Sequence, residues 1–517
     1  MKGLSFRTGA IGVWQPKSSN VTNLLLIISA CVFATTQGYD SALMTGLNIM
    51  PRYTQDLELV TATISLNSGG TLVGWGIASF CMGPVVDKVG RKSGIVVSIV
   101  IKTIGIILMT AAIHEAMFIL GRIILGFGSA TAAIASSAWL AETLPISIRG
   151  RGLSIIYCVY YVGALTAAGV TYGTANYDSS WCWRLPCALQ AIFALLCWCV
   201  LWCTPESPRW LAHKDRTEEA LLALASTHSN GDRNDPVVLA QHREILDTLQ
   251  FERDSGQKTT YKQLFKTRNS RKRVMLVMSV AIIAMMSGNN IIAYYLGSML
   301  NAAGITNTTT QLQINIILNA WSFLCSIVGT YYMDKLGRKT LCLFACSSMT
   351  VLLFVVGALT KVYGESINTS GIYGTVAAIF LFQGAYSVGI TPLTQLYPPE
   401  VLNYAIRSNG MAVWTLSAAC FGLFSAYIPP FALAAIGWKF YMINGAYDVL
   451  QVIYVAIYWV ETKGLSLEQI DRLIDGEKHS DVPDAIVHGV AIDSQRRSEE
   501  LGQEKKSEII KVTSASA

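Results

Sequence analysis

Twelve long apolar runs dominate this chain. Each is about 20 residues long, the length that an α-helix needs to cross the hydrocarbon of a bilayer. Lipid offers no partners to unpaired backbone groups, so every run is predicted to be a helix. The predicted spans lie near residues 23–45, 65–86, 93–113, 117–139, 153–173, 185–203, 274–296, 312–333, 341–361, 373–395, 408–430 and 439–459.

The composition also indicates a membrane protein. Of the 517 residues, 52% are hydrophobic and only 14% are charged, which is unusual for a soluble domain. The net charge of +6 is modest and comes from basic loops, so nucleic acid is not an expected partner. Most of the 12 cysteines lie inside apolar runs, where they act as small hydrophobic residues, and no spacing resembles a metal site.

An enzyme is not expected. The chain contains no nucleotide-binding loop, no Gly-x-Ser-x-Gly motif and no cluster of His and Cys. Without a Walker motif, ATP cannot be the energy source through this chain. No cofactor and no metal are therefore predicted.

Three pairs of short segments recur along the chain, at offsets of 247 to 258 residues. The first pair is a basic turn of the form Asp-Lys-x-Gly-Arg-Lys. The second pair begins with Glu and ends with Arg over eight positions. The third pair is a five-residue segment with a single Glu at its second position. Three pairs in register indicate two copies of one module. The pairs are residues 87–92 and 334–339, 142–149 and 400–407, and 205–209 and 460–464.

Lysine and arginine predict the orientation. They concentrate in alternate short loops, which places those loops and both termini in the cytoplasm. The glycosylation sequons at Asn307 and Asn368 then fall in outer loops. The predicted parts are a cytoplasmic N-terminus at 1–22, six-helix bundles at 23–203 and 274–460, a cytoplasmic linker with short helices at 204–273, and a mostly disordered cytoplasmic tail at 461–517.

Twelve spans, an internal duplication and a bridge between halves predict an all-α membrane protein, a secondary transporter with two bundles around a central site. Its motifs resemble those of the sugar porters of the major facilitator superfamily, and the match runs from about Gly38 to Asp475. Segments 287–296, 391–402 and 183–190 resemble the fungal lactose-permease-like branch. The resemblance implies the major facilitator fold and sugar uptake with protons, usually at the plasma membrane. A monomer is expected to function.

Asp40 lies inside the first apolar run, where a carboxylate is costly unless it is paired or protonated. Arg122, near the start of the fourth run, is its expected partner. In the proton-coupled sugar porters that this chain resembles, residues at these positions form the coupling pair. The alternative is a structural ion pair that fixes two helices.

A second set of charged residues recurs in the duplicated segments. They are predicted to pair across the inner face when that face is closed and to separate when it opens; a role in setting topology alone is the alternative. The set comprises Asp87, Arg91, Glu142, Arg149, Glu206, Arg209, Asp334, Arg338, Glu400, Arg407 and Glu461.

A sugar requires amides and hydroxyls for its hydroxyl groups and aromatic faces for its C–H faces. The predicted substrate-binding residues are Asn289, Asn290, Tyr294, Tyr295, Tyr157, Gln383 and Gln395. The family pattern is incomplete: Ala284 and Met285 replace an expected Gln-Gln pair, Tyr157 an expected glutamine, and Gln395 an expected tryptophan. These departures favour a disaccharide or a less polar metabolite over a hexose.

Two alternatives remain open. One is a transporter of the same fold for a non-sugar metabolite, including an exporter. The other is a nutrient sensor, which would normally carry a long signalling tail. Only residues 476–517 follow Asp475, which is short for that role.

Overall fold

The computed structural model describes residues 6–8, 14–16, 18–254, 264–302, 304–363, 369–402, 404–463, 470 and 473–474. The chain forms two units. The first, Met1–Gly464, contains all the helices named below. In the second, Leu465–Ala517, only Ile470, Leu473 and Ile474 are described.

The first unit is almost entirely helical. Its helices are α1 (Ser19–Ile49), α2 (Pro51–Asp56), α3 (Thr61–Val89), α4 (Arg91–Thr110), α5 (Glu115–Thr143), α6 (Ile146–Thr174), α7 (Trp181–Leu201), α8 (Pro208–His213), α9 (Thr217–His228), α10 (Pro236–Asp254), α11 (Arg268–Met286), α12 (Asn289–Ala302), α13 (Thr308–Leu336), α14 (Arg338–Tyr363), α15 (Thr369–Val401), α16 (Tyr404–Ile436) and α17 (Lys439–Tyr458).

Short strands precede α1, although the sequence indicated no structure there. β1 (Phe6–Thr8) and β2 (Trp14–Pro16) pair antiparallel, with Phe6 opposite Pro16.

The predicted spans are confirmed. Among the described residues, eleven helical segments are long and apolar enough to cross a membrane, with α11 and α12 counted as one segment, Arg268–Asn301. The twelfth, α6, is 29 residues long and packs between α1 and α13. We refer to α1–α7, without the short α2, as the six spans of the first half and to α11–α17 as the second half.

Close helix packing holds each half together. In the first half α3 and α5 approach so closely that a Cβ atom on Gly126 would lie 2.0 Å from the carbonyl oxygen of Thr71. Only glycine fits at such a contact, which is how membrane helices gain dispersion energy without a hydrophobic driving force between them. The halves meet where α6 packs on α13, α3 on α16 and α1 on α12.

The polar segment between the halves contains α8, α9 and α10, which share a small apolar cluster. The end of α9 is attached to the start of α1. The backbone N–H of Ser19 donates to Asn230 Oδ1 at 2.7 Å, and the N–H of Asn230 donates to Ser19 Oγ at 2.6 Å. Asn23 Nδ2 also donates to the Thr227 carbonyl at 2.9 Å. These bonds dock α9 on the first half.

The seventh span is not one continuous helix, contrary to the single run predicted at 274–296. It is broken between α11 and α12 at Ser287 and Gly288, and Gly288 has a φ of +88°. Glycine adopts this left-handed conformation without steric cost. A second irregularity lies at Tyr295, with φ −125° and ψ 27°.

Candidate functional site

A cavity of about 200 Å³ lies between the two halves. Four helices of the first half, α1, α3, α5 and α6, contribute to its wall. From the second half, α11, α12, α13, α15 and α16 contribute. The wall therefore changes whenever the halves move relative to each other.

Asp40 and Arg122 both line this cavity. Arg122 Nη1 donates to Asp40 Oδ1, so the expected pair is present. The arginine is fully buried, and it also donates from Nε to the Asn67 carbonyl at 3.1 Å and from Nη2 to Thr71 Oγ1 at 3.4 Å. Gln190 Nε2 lies 3.5 Å from the same carboxylate oxygen. The Asn67 carbonyl and Thr71 hydroxyl compensate the guanidinium, and the Gln190 amide compensates the carboxylate, as buried charges inside a membrane span require.

Four of the predicted substrate-binding residues line the cavity: Asn289, Asn290, Tyr294 and Gln383. Asn290 donates to Ser425 Oγ at 2.5 Å and to the Met285 carbonyl at 3.2 Å, so its amide is already engaged.

Four residues of the cavity wall carry a buried polar atom that has no partner among the described residues. The atoms are two acceptors, Asn289 Oδ1 and Gln383 Oε1, and two donors, Asn315 Nδ2 and Trp414 Nε1. Buried polar groups are normally hydrogen-bonded, so four such atoms around one cavity indicate a polar ligand. Asn315 and Trp414 are not among the predicted residues, because a helix that is apolar on most sides does not reveal which face is turned inward.

Tyr295 is a correction to the predicted site. It is not among the residues of the cavity wall, and its hydroxyl donates to the Ala426 carbonyl in α16. Its ring lies edge-on to the ring of Tyr294, with the ring centroids 6.4 Å apart. Tyr157 and Gln395 lie on α6 and α15, and their side chains are outside the described residues.

The halves touch each other on both sides of the cavity. Towards one end, Thr45 Oγ1 donates to the Ala293 carbonyl and Asn48 Nδ2 donates to the Tyr294 carbonyl at 3.2 Å. Towards the end that carries the basic turns, called here the inner end, Cys158 Sγ lies 3.1 Å from Thr330 Oγ1. These contacts must break in turn for the cavity to open to each side.

At the inner end of the first half, Arg91 holds Glu142. Its Nε lies 3.2 Å from Oε2 and its Nη2 lies 3.3 Å from Oε1, so the guanidinium contacts both oxygens of the carboxylate. Asp87, near the end of α3, places its Oδ1 3.1 Å from Arg91 Nη1. Ser207 Oγ donates to Glu142 Oε2 and so ties the segment after α7 to α5.

Glu206 caps the start of α4. Its carboxylate accepts the backbone N–H of Lys92 at 3.0 and 3.1 Å and that of Ser207 at 2.9 Å. A negative charge is favourable at a helix N-terminus. Burial raises the pKa of Glu206, and its bonds to the two backbone N–H groups oppose that shift.

The second half repeats this arrangement. Arg338 Nη2 lies 3.3 Å from Glu400 Oε1, and Thr462 Oγ1 donates to Glu400 Oε2 at 2.7 Å. Glu461 accepts the backbone N–H of Arg338 at 2.8 Å and that of Lys339 at 3.1 Å, at the start of α14. The duplicated motifs therefore build one structure twice, a charge cluster that joins three chain segments within its own half.

This geometry differs from the predicted pairing across the inner face. The pairs Arg91–Glu142 and Arg338–Glu400 each join helices of one half, and Glu206 and Glu461 bind the backbone of a helix start through hydrogen bonds. Arg209 lies in α8. The side chains of Arg149, Asp334 and Arg407 are outside the described residues.

Of the two sequons, Asn307 precedes α13, and its Oδ1 accepts the backbone N–H of Thr310 at 3.0 Å as an N-cap. Asn368 lies outside the described residues.

Twelve spans in two bundles around a polar cavity define a secondary transporter of the major facilitator fold. The chain belongs to the family described as "Sugar (and other) transporter", which matches residues 26–474.

Curated relatives cover most of the chain. It is 29% identical over 476 residues to the "MFS glucose transporter mfs1" of Aspergillus flavus, covering 86% of this chain and 89% of the relative. It is 29% identical over 495 residues to the "High-affinity glucose transporter" of Kluyveromyces lactis, with 89% and 87% covered. It is 27% identical over 460 residues to the "MFS-type transporter criB" of Aspergillus cristatus, with 87% and 94% covered.

Solved structures agree on the fold. The proton:xylose symporter XylE bound to 6-bromo-6-deoxy-D-glucose gives a TM-score of 0.75 at 21% identity, covering 88% of this chain and 99% of that one. The inward open conformation of XylE from E. coli gives 0.68 at 21% identity, with 87% and 99% covered.

Proposed function

We propose that this protein imports a sugar by proton symport, through alternating access to the central cavity. The observation that carries the proposal is the shared wall: the Asp40–Arg122 pair lines the same cavity as Asn289, Gln383 and Asn315, whose side chains each carry an unpaired buried polar atom. A proton that binds Asp40 weakens its attraction to Arg122, and a sugar that binds the amides changes the same surface. Two ligands that act on one cavity can therefore move the halves together. Relatives named as glucose transporters support the choice of a sugar.

The cavity size favours a monosaccharide. Its volume of about 200 Å³ is below the roughly 300–1,000 Å³ of sites for drug-sized ligands. This size argues against the disaccharide that the missing glutamines favour.

A less polar metabolite is the second candidate. Ala284 and Met285 line the cavity where hexose porters carry two glutamines, so this part of the wall offers no amide to a sugar hydroxyl. A ligand with one apolar edge would fit there without leaving a hydroxyl unpaired.

The inner charge clusters serve, in this proposal, as the gate on that side. Each cluster holds its own half rigid, so that the half rocks as one body when the contacts between halves break. We also propose that residues 23–203 and 274–460 form the two six-helix bundles and that residues 204–273 form a cytoplasmic linker. The proposal also includes a plasma-membrane location with both termini in the cytoplasm, glycans on the outer sequons, and function as a monomer.

Uptake by a host without its own sugar transporters tests the proposal. We expect D-glucose or D-xylose to enter faster than lactose or cellobiose, faster at acidic than at neutral external pH, and not after addition of a protonophore. Preferred uptake of a disaccharide would contradict the size argument. If no sugar enters but an efflux substrate or a less polar metabolite is transported, the second candidate is correct.

A further inference from the structure

A side chain from α17 holds the break in the seventh span. With its amide oriented to satisfy both neighbours, Asn444 donates from Nδ2 to the Met286 carbonyl at 3.1 Å, and its Oδ1 accepts the N–H of Gly288 at 3.2 Å. These two backbone groups flank Ser287, where the helical hydrogen bonds stop. Unpaired backbone groups inside a membrane are costly, so one amide stabilises both ends of the break.

The space around Gly288 is shaped for this contact. A Cβ atom added to Gly288 would lie 2.6 Å from the amide atom of Asn444 that faces Gly288, which is Oδ1 in this orientation, and real Cβ atoms do not come so close to another atom. The residue is therefore a glycine for two reasons, its φ of +88° and the proximity of Asn444.

The break sets the direction of the residues that follow it. Asn289 and Asn290 begin α12 and both line the cavity. The preceding α11 is fixed to the second half, because Tyr386 OH donates to the Ala284 carbonyl at 3.1 Å and Trp459 Nε1 donates to Ser279 Oγ at 3.0 Å. A shift at the break would therefore move Asn289 relative to α11 and would disturb the bond from Asn290 Nδ2 to the Met285 carbonyl.

The internal duplication places a second amide at the matching position. Asn444 lies 254 residues after Gln190, and Gly288 lies 248 residues after Asp40, both within the range of the repeat. Gln190 on α7 reaches Asp40 in the middle of α1, and Asn444 on α17 reaches the middle of the seventh span. In each half, an amide on the last span therefore contacts a residue of the first span. The contact is with Asp40 in the first half and with the helix break in the second half.

We propose that Asn444 is a positioning residue for the substrate cavity: it fixes the break so that Asn289 and Asn290 face the ligand, and it contacts no substrate itself. Asn444 is not part of the cavity wall. The inference rests on the proposed sugar transport and assigns affinity to a residue outside the binding site.

Kinetics of D-glucose uptake in proteoliposomes test this role. In Asn444→Ala we expect KM to rise about ten-fold, since two bonds that orient the binding residues are lost. The maximal rate should stay within about two-fold, because the contacts that open and close the cavity are intact. Gln451→Ala, a buried amide seven residues along the same helix, is the matched control and should keep the wild-type KM.

Asn444→Asp retains an acceptor for the Gly288 N–H and is expected to have an intermediate KM. Gly288→Ala adds the Cβ that meets Asn444, and removal of that side chain relieves the clash. Each single variant should raise KM. The product of the two fold-increases should exceed the fold-increase measured in the double variant.

A wild-type KM in Asn444→Ala, with only lower thermal stability, would overturn the inference and leave a purely structural residue. If Asn444→Ala does not fold, an unchanged KM in Asn444→Asp overturns it equally. Failure of the wild-type protein to transport any sugar would instead count against the proposed function.

Discussion

Replacing Asp40 with Asn is expected to abolish the accumulation of sugar against its gradient. Asn keeps the shape of the carboxylate and can still accept a bond from Arg122, but it cannot bind or release a proton. The ratio of internal to external sugar should fall to about one, while exchange of labelled for unlabelled sugar should stay within about ten-fold of wild type. Proteoliposomes with an imposed pH gradient measure both quantities.

Loss of the charge leaves Arg122 buried without its anion, which costs about 3–5 kcal/mol when a buried pair is broken. The double variant Asp40→Asn with Arg122→Gln removes both charges and therefore leaves no unpaired arginine. It distinguishes loss of proton coupling from loss of folding. Asp40→Glu is the matched control that keeps a proton-binding group. If Asp40→Asn still concentrates sugar with an unchanged pH dependence, Asp40 and Arg122 are a structural pair and the coupling role is wrong.

The second large effect is expected at the inner end, in the cluster of Arg338 and Glu400. Glu400→Ala removes the acid from an arginine side chain that is only 10% exposed, and should lower the free energy of unfolding by about 3–5 kcal/mol. The double variant Arg338→Met with Glu400→Leu replaces the pair by apolar groups and should recover most of that stability. Transport should nevertheless stay at least about ten-fold slower, because the charges that hold α14 to α15 and keep the second half rigid are gone.

The matching change in the first half, Arg91→Met with Glu142→Leu, should have the same two effects, since the clusters have the same construction. Arg216→Ala is the control. Its pair with Glu219 is an exposed one, with 39% and 23% of the side chains accessible, and such pairs are worth about 0–1 kcal/mol. Stable double variants that transport at the wild-type rate would show that these charges only set the topology.

Apolar length and charge placement were enough to predict the spans and the need of Asp40 for a partner. A run of about 20 apolar residues has one stable conformation in lipid, and a buried carboxylate needs a cation. The resemblance to the sugar porters is what identifies Arg122, 82 residues away, as that cation. The repeat likewise identified Arg91, Glu142, Arg338 and Glu400 as related residues.

Contacts between segments distant in sequence could not be predicted in this way. Glu206 and Glu461 occur in segments that also contain basic residues, which suggested ion pairs, but the nearest groups in space are backbone N–H groups of helix starts. Tyr294 and Tyr295 are adjacent, and consecutive residues of a helix point about 100° apart, so only Tyr294 lines the cavity. The break at Ser287 and Gly288 lies in an apolar run that a window of hydropathy treats as continuous.

Proton movement that accompanies sugar entry is the most direct test of this account. Purified protein is reconstituted into liposomes that contain a pH-sensitive dye, and D-glucose is added outside without an imposed gradient. We predict that the interior acidifies as the sugar enters, at a rate that saturates with sugar concentration, and that Asp40→Asn liposomes take up sugar without acidification. Sugar entry through the wild-type protein with no change of internal pH would contradict symport through the central cavity.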